Sequence, residues 1–166
     1  MSSLGGKKVL ITGATGFIGA NLVRRAILAG ADVSIITRKS SDTWRIMDKL
    51  ECVSQYHSAA YGGNPAQKDI WNIIESNYIG TVNLVNACKK VDFELLVNTG
   101  SSSEYGIKAL PIGEEDLLEP VNDYRVSKSA ATLYSQFAAR SEKIPIVILR
   151  LFSPYGCYEK QTVELS

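Results

Sequence analysis

"KKVLITGATGFIGANLVRRAILAGADVSIIT" (residues 7–37) is the stretch whose reading decides the fold. Residues 7–12 are a short apolar, β-branched run, which suits a buried strand. Phe17, Ile18, Leu22, Val23, Ala26 and Ile27 then recur at helical spacing, and Gly30 stops that helix. "DVSIIT" (32–37) is a second strand. The segment is therefore a strand–turn–helix–strand unit. The turn holds Gly13, Gly16 and Gly19. Glycine weakens strands and helices alike, so three at one junction imply that something approaches the backbone closely there.

The same alternation continues outward. "DTWRIMDKL" (42–50) fits one amphipathic helix, and "CVSQYH" (52–57) a weak strand. Helical spacing returns over 69–90 with Ile70, Ile73, Ile74, Leu84, Val85 and Cys88. Asn77 and Thr81 fall on that stripe, and a buried Asn must find hydrogen-bond partners. "FELLVNT" (93–99) is a strand, 100–121 a loop, and 122–141 a helix with an expected core stripe of Val126, Ala130, Leu133 and Phe137. "IPIVILRL" (144–151) is the last strand. Continuous apolar strands alternating with helices predict an α/β fold, a Rossmann-like doubly wound parallel sheet covered on both faces. A chain of 166 residues fits one domain, 1–166.

Composition narrows the function. The net charge is +1 without a basic block, so neither nucleic acid nor a membrane surface is an expected partner. The apolar run after the N-terminal lysines is too short for a signal-peptide core, and no stretch reaches the length of a membrane span. Cys52, Cys88 and Cys157 are odd in number and widely spaced. They suit a reducing cytoplasm, with buried filler as their role and no metal site.

The glycines have a chemical reading. The spacing here is G-x-x-G-x-x-G, one residue longer than the G-x-G-x-x-G dinucleotide fingerprint, but the physics is shared. One glycine makes the tight turn, one admits a pyrophosphate to the backbone, and the last lets helix and strand pack closely. The phosphate then sits on the free N–H groups of the helix N-terminus. Past the second strand, "ITRKSS" (36–41) carries no acid for ribose hydroxyls but does carry Arg38 and Lys39. A guanidinium grips a 2′-phosphate bidentately, which favours NADP(H) over NAD(H); a solvated basic loop is the alternative.

"DYRVSKSAAT" (123–132) sets Tyr124 and Lys128 one helical turn apart. An ammonium beside a phenol lowers its pKa and fits it for proton transfer to or from a hydroxyl or carbonyl. That face continues into Ser127, Ala131 and Ser135, away from the expected core stripe. "NTGSSSEYG" (98–106) follows a strand, and ligands of open parallel sheets bind outside the carboxyl ends of strands.

At this point the chain resembles the extended short-chain dehydrogenase/reductases. "TGATGFIG" (12–19), "HSAA" (57–60), "NYIGTVNLVNAC" (77–88), "GSSSEYG" (100–106), "YRVSK" (124–128) and "LRLFSPYG" (149–156) stand in that family's order. The branch resembled acts on nucleotide sugars through epimerases, dehydratases and 4-keto-reductases. The resemblance implies Tyr124 as catalytic acid/base, Lys128 as the residue that orients the nicotinamide ribose and lowers the Tyr pKa, and Ser101 as the hydroxyl partner. Ser102 and Ser103 compete for that last role. Family members that dehydrate carry acids at those two positions, so a dehydratase is not expected. The resemblance also assigns Gly13, Thr15, Gly16, Phe17, Ile18, Gly19, Ala59, Ala60, Asn77, Thr99 and Ser153 to the cofactor side. His57 has a supporting role, and Ser153 replaces a frequent Asn.

Two departures shape the expectation. Residues 38–53 leave room for one helix, where the family has helix, strand and helix. The third strand is therefore expected to be missing, giving the order 2-1-4-5-6 in the family's labels with an exposed edge. The chain also ends at Ser166, so the C-terminal substrate domain is expected to be absent. The implied function is an NAD(P)-dependent nucleotide-sugar epimerase or 4-keto-sugar reductase, dimeric through helices 69–90 and 122–141. Its rival is a non-catalytic dinucleotide-binding remnant of that family.

Overall fold

The computed structural model describes residues 4–57, 69–108 and 111–159. They fall into two compact units, one from 4–57 with 154–159, the other from 69–108 with 111–153.

In the first unit, β1 (Lys8–Thr12), α1 (Phe17–Leu28) and β2 (Asp32–Thr37) realise the strand–turn–helix–strand reading. β1 and β2 are parallel, with Val9 opposite Val33 and Ile11 opposite Ile35. That register puts like residues on one face. There Ile11, Val33 and Ile35 cluster with Ala20, Val23 and Ala26 of α1 and with Ile46. Each fully buried Val or Ile contributes roughly 1.5–3 kcal/mol to holding the unit together. Residues 42–50 do not form the expected helix; only a short 3-10 helix, Met47–Cys52, is present. Ile46 anchors it in the core.

β3 (Ser54–His57) corrects the expected strand order. It runs parallel beside β2, from Ser34 opposite Ser54 to Thr37 opposite His57. The sheet order is β1-β2-β3, so the edge expected to stay open is filled. A parallel crossover needs roughly a dozen residues, and 38–53 supply them without a full helix.

In the second unit, a helical run comprises α2 (Ile70–Ile74), a π-helical turn (Glu75–Ile79) and α3 (Gly80–Cys88). The Asp69 side chain caps it, accepting from the Trp71 and Asn72 amides. β4 (Leu96–Ser101) and β5 (Ile146–Leu151) pair in parallel. α4 (Asp123–Ser141) opens at Asn122, whose side chain accepts from the Arg125 amide at 2.9 Å. Among the described residues the strands form these two parallel sheets rather than one.

The packing of α4 is a second correction. Its buried residues are Ser127, Ser129, Ala131, Thr132, Ser135 and Ala138. The expected core stripe is largely outside, with Leu133 56% and Phe137 49% exposed. Small side chains let the helix approach closely, and the hydroxyls of Ser127 and Ser135 find partners there. Asn98 Nδ2 on β4 donates to Ser135 Oγ at 3.0 Å, and Ser135 Oγ donates to the Ala131 carbonyl at 2.8 Å. The cysteines are free, but their burial departs from expectation, since Cys52 and Cys157 are exposed. No helix among the described residues is long and apolar enough to cross a membrane.

Candidate active site

The glycine turn shows why each glycine is there. Gly13 has φ +67°, a conformation that disfavours other residues. Gly19 lies where a Cβ would stand 2.1 Å from the Gly13 carbonyl oxygen, so no side chain fits. Gly16 caps α1 with no side-chain hydrogen bond. The first amides of a helix lack intrahelical partners. A Cβ built at Gly13 meets nothing within 4 Å, so the backbone is open at the turn. Bare amides, positive helix dipole and open backbone fit a pyrophosphate. Thr15, Phe17 and Ile18 share this turn, and the Arg45 guanidinium reaches the Thr15 carbonyl at 3.4 Å. Sequence reading missed Arg45, because nothing in its spacing ties it to the glycines.

Arg38 follows β2, its amide held by Ser41 Oγ at 3.0 Å, and Lys39 beside it is exposed. Ala59 and Ala60 lie outside the described residues. Ser153 is exposed with φ +35°, a left-handed backbone that Asn tolerates better than most residues.

The second unit holds Ser101, Tyr124 and Lys128. The strand β4 ends at Ser101, which also opens a 3-10 turn, Ser102–Tyr105. Ser101 Oγ accepts from the Ser103 amide at 3.2 Å and lies 2.7 Å from Ser103 Oγ. The Ser101 hydroxyl lies near enough to the Tyr124 phenol to ease its ionisation. Of the three competing serines, Ser101 is the one whose hydroxyl eases ionisation of the Tyr124 phenol. Lys128 Nζ, one turn further along α4, donates to the Thr99 carbonyl. Asn77 sits in the π turn, where Nδ2 donates to Ser127 Oγ at 3.0 Å. Ser127 Oγ in turn donates to the Tyr124 carbonyl at 2.8 Å. The Asn that had to find a partner therefore braces the helical turn carrying Tyr124.

Electrostatics differ from the expected pattern. Burial pushes the Tyr124 phenol above its ordinary value, the Glu104 carboxylate adds to that rise, and the Ser101 hydroxyl offsets part of it. The phenol is raised, not lowered. Burial pushes the Lys128 ammonium below its usual range, and Glu104 opposes that fall. Glu104, fully buried, is the group that sequence reading left without a role.

Parallel strands alternating with helices, with a glycine turn opening α1, define a Rossmann-like α/β protein. The profile of the NAD dependent epimerase/dehydratase family matches residues 9–164, and the chain belongs to that family. It is 29% identical to UDP-glucose 4-epimerase of Lactobacillus helveticus over 90% of this chain and 52% of that protein. The crystal structure of UDP-glucuronic acid 4-epimerase from Bacillus cereus, in complex with UDP-glucuronic acid and NAD, superposes with TM-score 0.76 at 27% identity. The match covers 90% of this chain and 57% of that one. UDP-N-acetylglucosamine 4-epimerase from Methanobrevibacter ruminantium shares the fold with TM-score 0.82 at 22% identity, over 98% of this chain and 60% of that one. The chain thus spans about half the length of the curated relatives it matches.

Proposed function

We propose that this chain is the cofactor-binding and proton-transfer part of a nucleotide-sugar epimerase or 4-keto-sugar reductase that uses NADP(H) in preference to NAD(H). One observation carries the reading: the Ser101 hydroxyl lies near enough to the Tyr124 phenol to ease its ionisation, while Lys128, one turn on, is held at the Thr99 carbonyl. Similarity to sugar-nucleotide 4-epimerases supports the substrate class. The cofactor preference rests on Arg38 and Lys39, with no acid among residues 36–41.

The dinucleotide, when bound, supplies acceptance and return of a hydride at the sugar carbon. The chain's own residues manage the proton. Tyr124 as phenolate takes the hydroxyl proton as the hydride leaves the carbon, and as phenol gives it back when the hydride returns. Ser101 fixes the phenol and is placed to share the sugar oxygen. The glycine turn would seat the pyrophosphate at the N-terminus of α1, with Gly13 leaving the backbone open and Gly19 letting the helix pack close to it. An epimerase runs both halves on one substrate; a reductase runs only the return. The helical run 70–88 and α4, with its exposed apolar stripe, are the proposed homodimer face.

Tyr124→Phe tests the reading. Turnover should fall by about 10²–10⁴-fold with cofactor affinity and melting temperature unchanged; retained turnover removes Tyr124 from the mechanism. Because the phenol is raised, kcat/KM for oxidation should climb from neutral into alkaline pH as phenolate accumulates. A flat profile over that range would sink the base assignment. Arg38→Ala should weaken NADPH and spare NADH. Saturable cofactor binding with no turnover on any sugar nucleotide would favour the non-catalytic reading instead.

A further inference from the structure

Residues 154–159 follow β5 and belong to the unit that carries the glycine turn. Their own turn is closed by the Glu159 amide, which donates to the Gly156 carbonyl at 3.3 Å. Helix α1 holds it from one side. Asn21 Nδ2 donates to the Cys157 carbonyl at 2.9 Å, and the Arg24 guanidinium, paired with Asp48, lies 4.0 Å over the Tyr158 ring. Arg45 holds it from another, with Nε donating to the Tyr158 carbonyl at 2.7 Å. Tyr158 itself has φ +71°. A left-handed backbone costs a bulky residue about 1–3 kcal/mol and persists only where its surroundings over-determine it. These contacts are such surroundings.

Arg45 does more than hold this segment. The same guanidinium reaches the Thr15 carbonyl, between Gly13 and Gly16, at 3.4 Å, and rests 4.4 Å over the Trp44 ring. A planar fork fixes the spacing of two acceptors, which the point charge of a lysine does not. No carboxylate among the described residues pairs with Arg45; Asp48, three residues on, is taken by Arg24 and Lys49. Through Thr15 the guanidinium stands at the turn that opens α1, where a cation opposes the helix dipole. An anion seated at that turn removes the conflict, so the bridge gains most when the glycine turn is occupied.

We propose that Arg45 is a positioning residue that couples the glycine turn to the segment after β5: its guanidinium ties the Thr15 carbonyl to the Tyr158 carbonyl, so that a dinucleotide seated at the turn also tightens residues 157–159 against α1. This rests on the dinucleotide site given above. It adds that cofactor occupancy is passed to the chain leaving β5, and by linkage that seating this segment strengthens cofactor binding in return. Arg45 acts on backbone shared by both cofactors, so it does not discriminate NADPH from NADH as Arg38 is proposed to do.

The test compares wild type, Arg45→Met and Arg45→Lys by titration with NADH and NADPH and by amide hydrogen exchange of the 154–159 peptide with and without NADH. Wild type should show slower exchange of that peptide when NADH is added. In Arg45→Met, exchange should be the same with and without NADH, and affinity for both cofactors should fall roughly tenfold, within the usual size of a coupling. Arg45→Lys keeps the charge without the fork, so it should lose the coupling as Arg45→Met does. A merely structural Arg45 would speed exchange in both states and leave the difference between them. That persisting difference, a loss confined to NADPH, or coupling retained by the lysine each overturns the proposal. Neither readout depends on turnover. Wild type that binds neither cofactor would remove the dinucleotide site and the coupling with it; binding without added protection of 154–159 would remove the coupling alone.

Discussion

Helices α1 and α4 bury opposite kinds of side chain. α1 turns Gly19, Ala20, Val23 and Ala26 inward, and its neighbours in the core are Ile11, Val33 and Ile35. α4 turns inward three serines, a threonine and two alanines, and leaves Val126, Leu133 and Phe137 half-exposed. The first arrangement is an apolar seal that lets backbone meet backbone at the glycine turn. The second trades apolar burial for hydroxyls that tie the helix to Asn77, to Asn98 and to its own carbonyls. Tyr124 and Lys128 ride on the second kind of helix. Their placement is set by hydrogen bonds, which have direction, rather than by apolar contact, which has none.

The contrast breaks most visibly at Gly19. In Gly19→Val the new side chain collides with the Gly13 carbonyl and the Ala14 backbone, and none of these atoms is a flexible end. Overpacking against backbone should cost about 3 kcal/mol or more. Urea unfolding should show that loss together with loss of cofactor binding. A change under about 1 kcal/mol would mean that α1 slides easily and that the seal is not tight. Next is Ser135→Leu, which puts an apolar residue where the apolar pattern of α1 would want one. Ser135 is fully buried and accepts from Asn98. The leucine both overpacks the site and orphans the Asn98 amide, so the expected loss is roughly 2–3 kcal/mol. Stabilisation instead would show that α4 is an ordinary apolar helix held badly.

The same contrast explains what was legible in the sequence. Apolar periodicity located α1, β2 and β5 because their cores follow hydrophobicity. It misplaced the inner face of α4, because burial there follows side-chain size and hydrogen bonding. Over 42–50 only Ile46 is fully buried, with Leu50 packed partly against the same core, and the chain takes a 3-10 helix instead of the expected amphipathic one. β3 was read as a strand but set on the wrong side of the sheet. Its sequence carries no label for its neighbour, and β2 offers an edge within reach of residues 38–53. Tyr124 and Lys128 stood out in the sequence because one helical turn sets them on one face, whereas Ser101 was singled out only by the resemblance. Glu104 did not stand out, because its cap on the serine turn depends on a carboxylate folding back onto an amide three residues earlier and on the space left by the missing side chain at Gly100.

The smallest expected effect on stability sharpens the comparison further. Leu133→Glu changes a residue that a pattern-based reading would put in the core, yet its side chain is more than half exposed at 56%. Surface substitutions of this kind usually stay within about 0.5 kcal/mol, so unfolding of dilute protein should be nearly unchanged. Association is where the change should register. Val126, Leu133 and Phe137 lie along one side of α4 and leave apolar surface facing water, as an interface between copies does. A two-fold contact meets the same patch twice, so each added carboxylate faces its copy with like charge. Analytical ultracentrifugation should then show a wild-type dimer and a Leu133→Glu monomer of equal urea stability. A monomeric wild type would remove the dimer proposal. A variant losing several kcal/mol as a monomer would return Leu133 to the core, and with it the simpler view that α4 packs as α1 does.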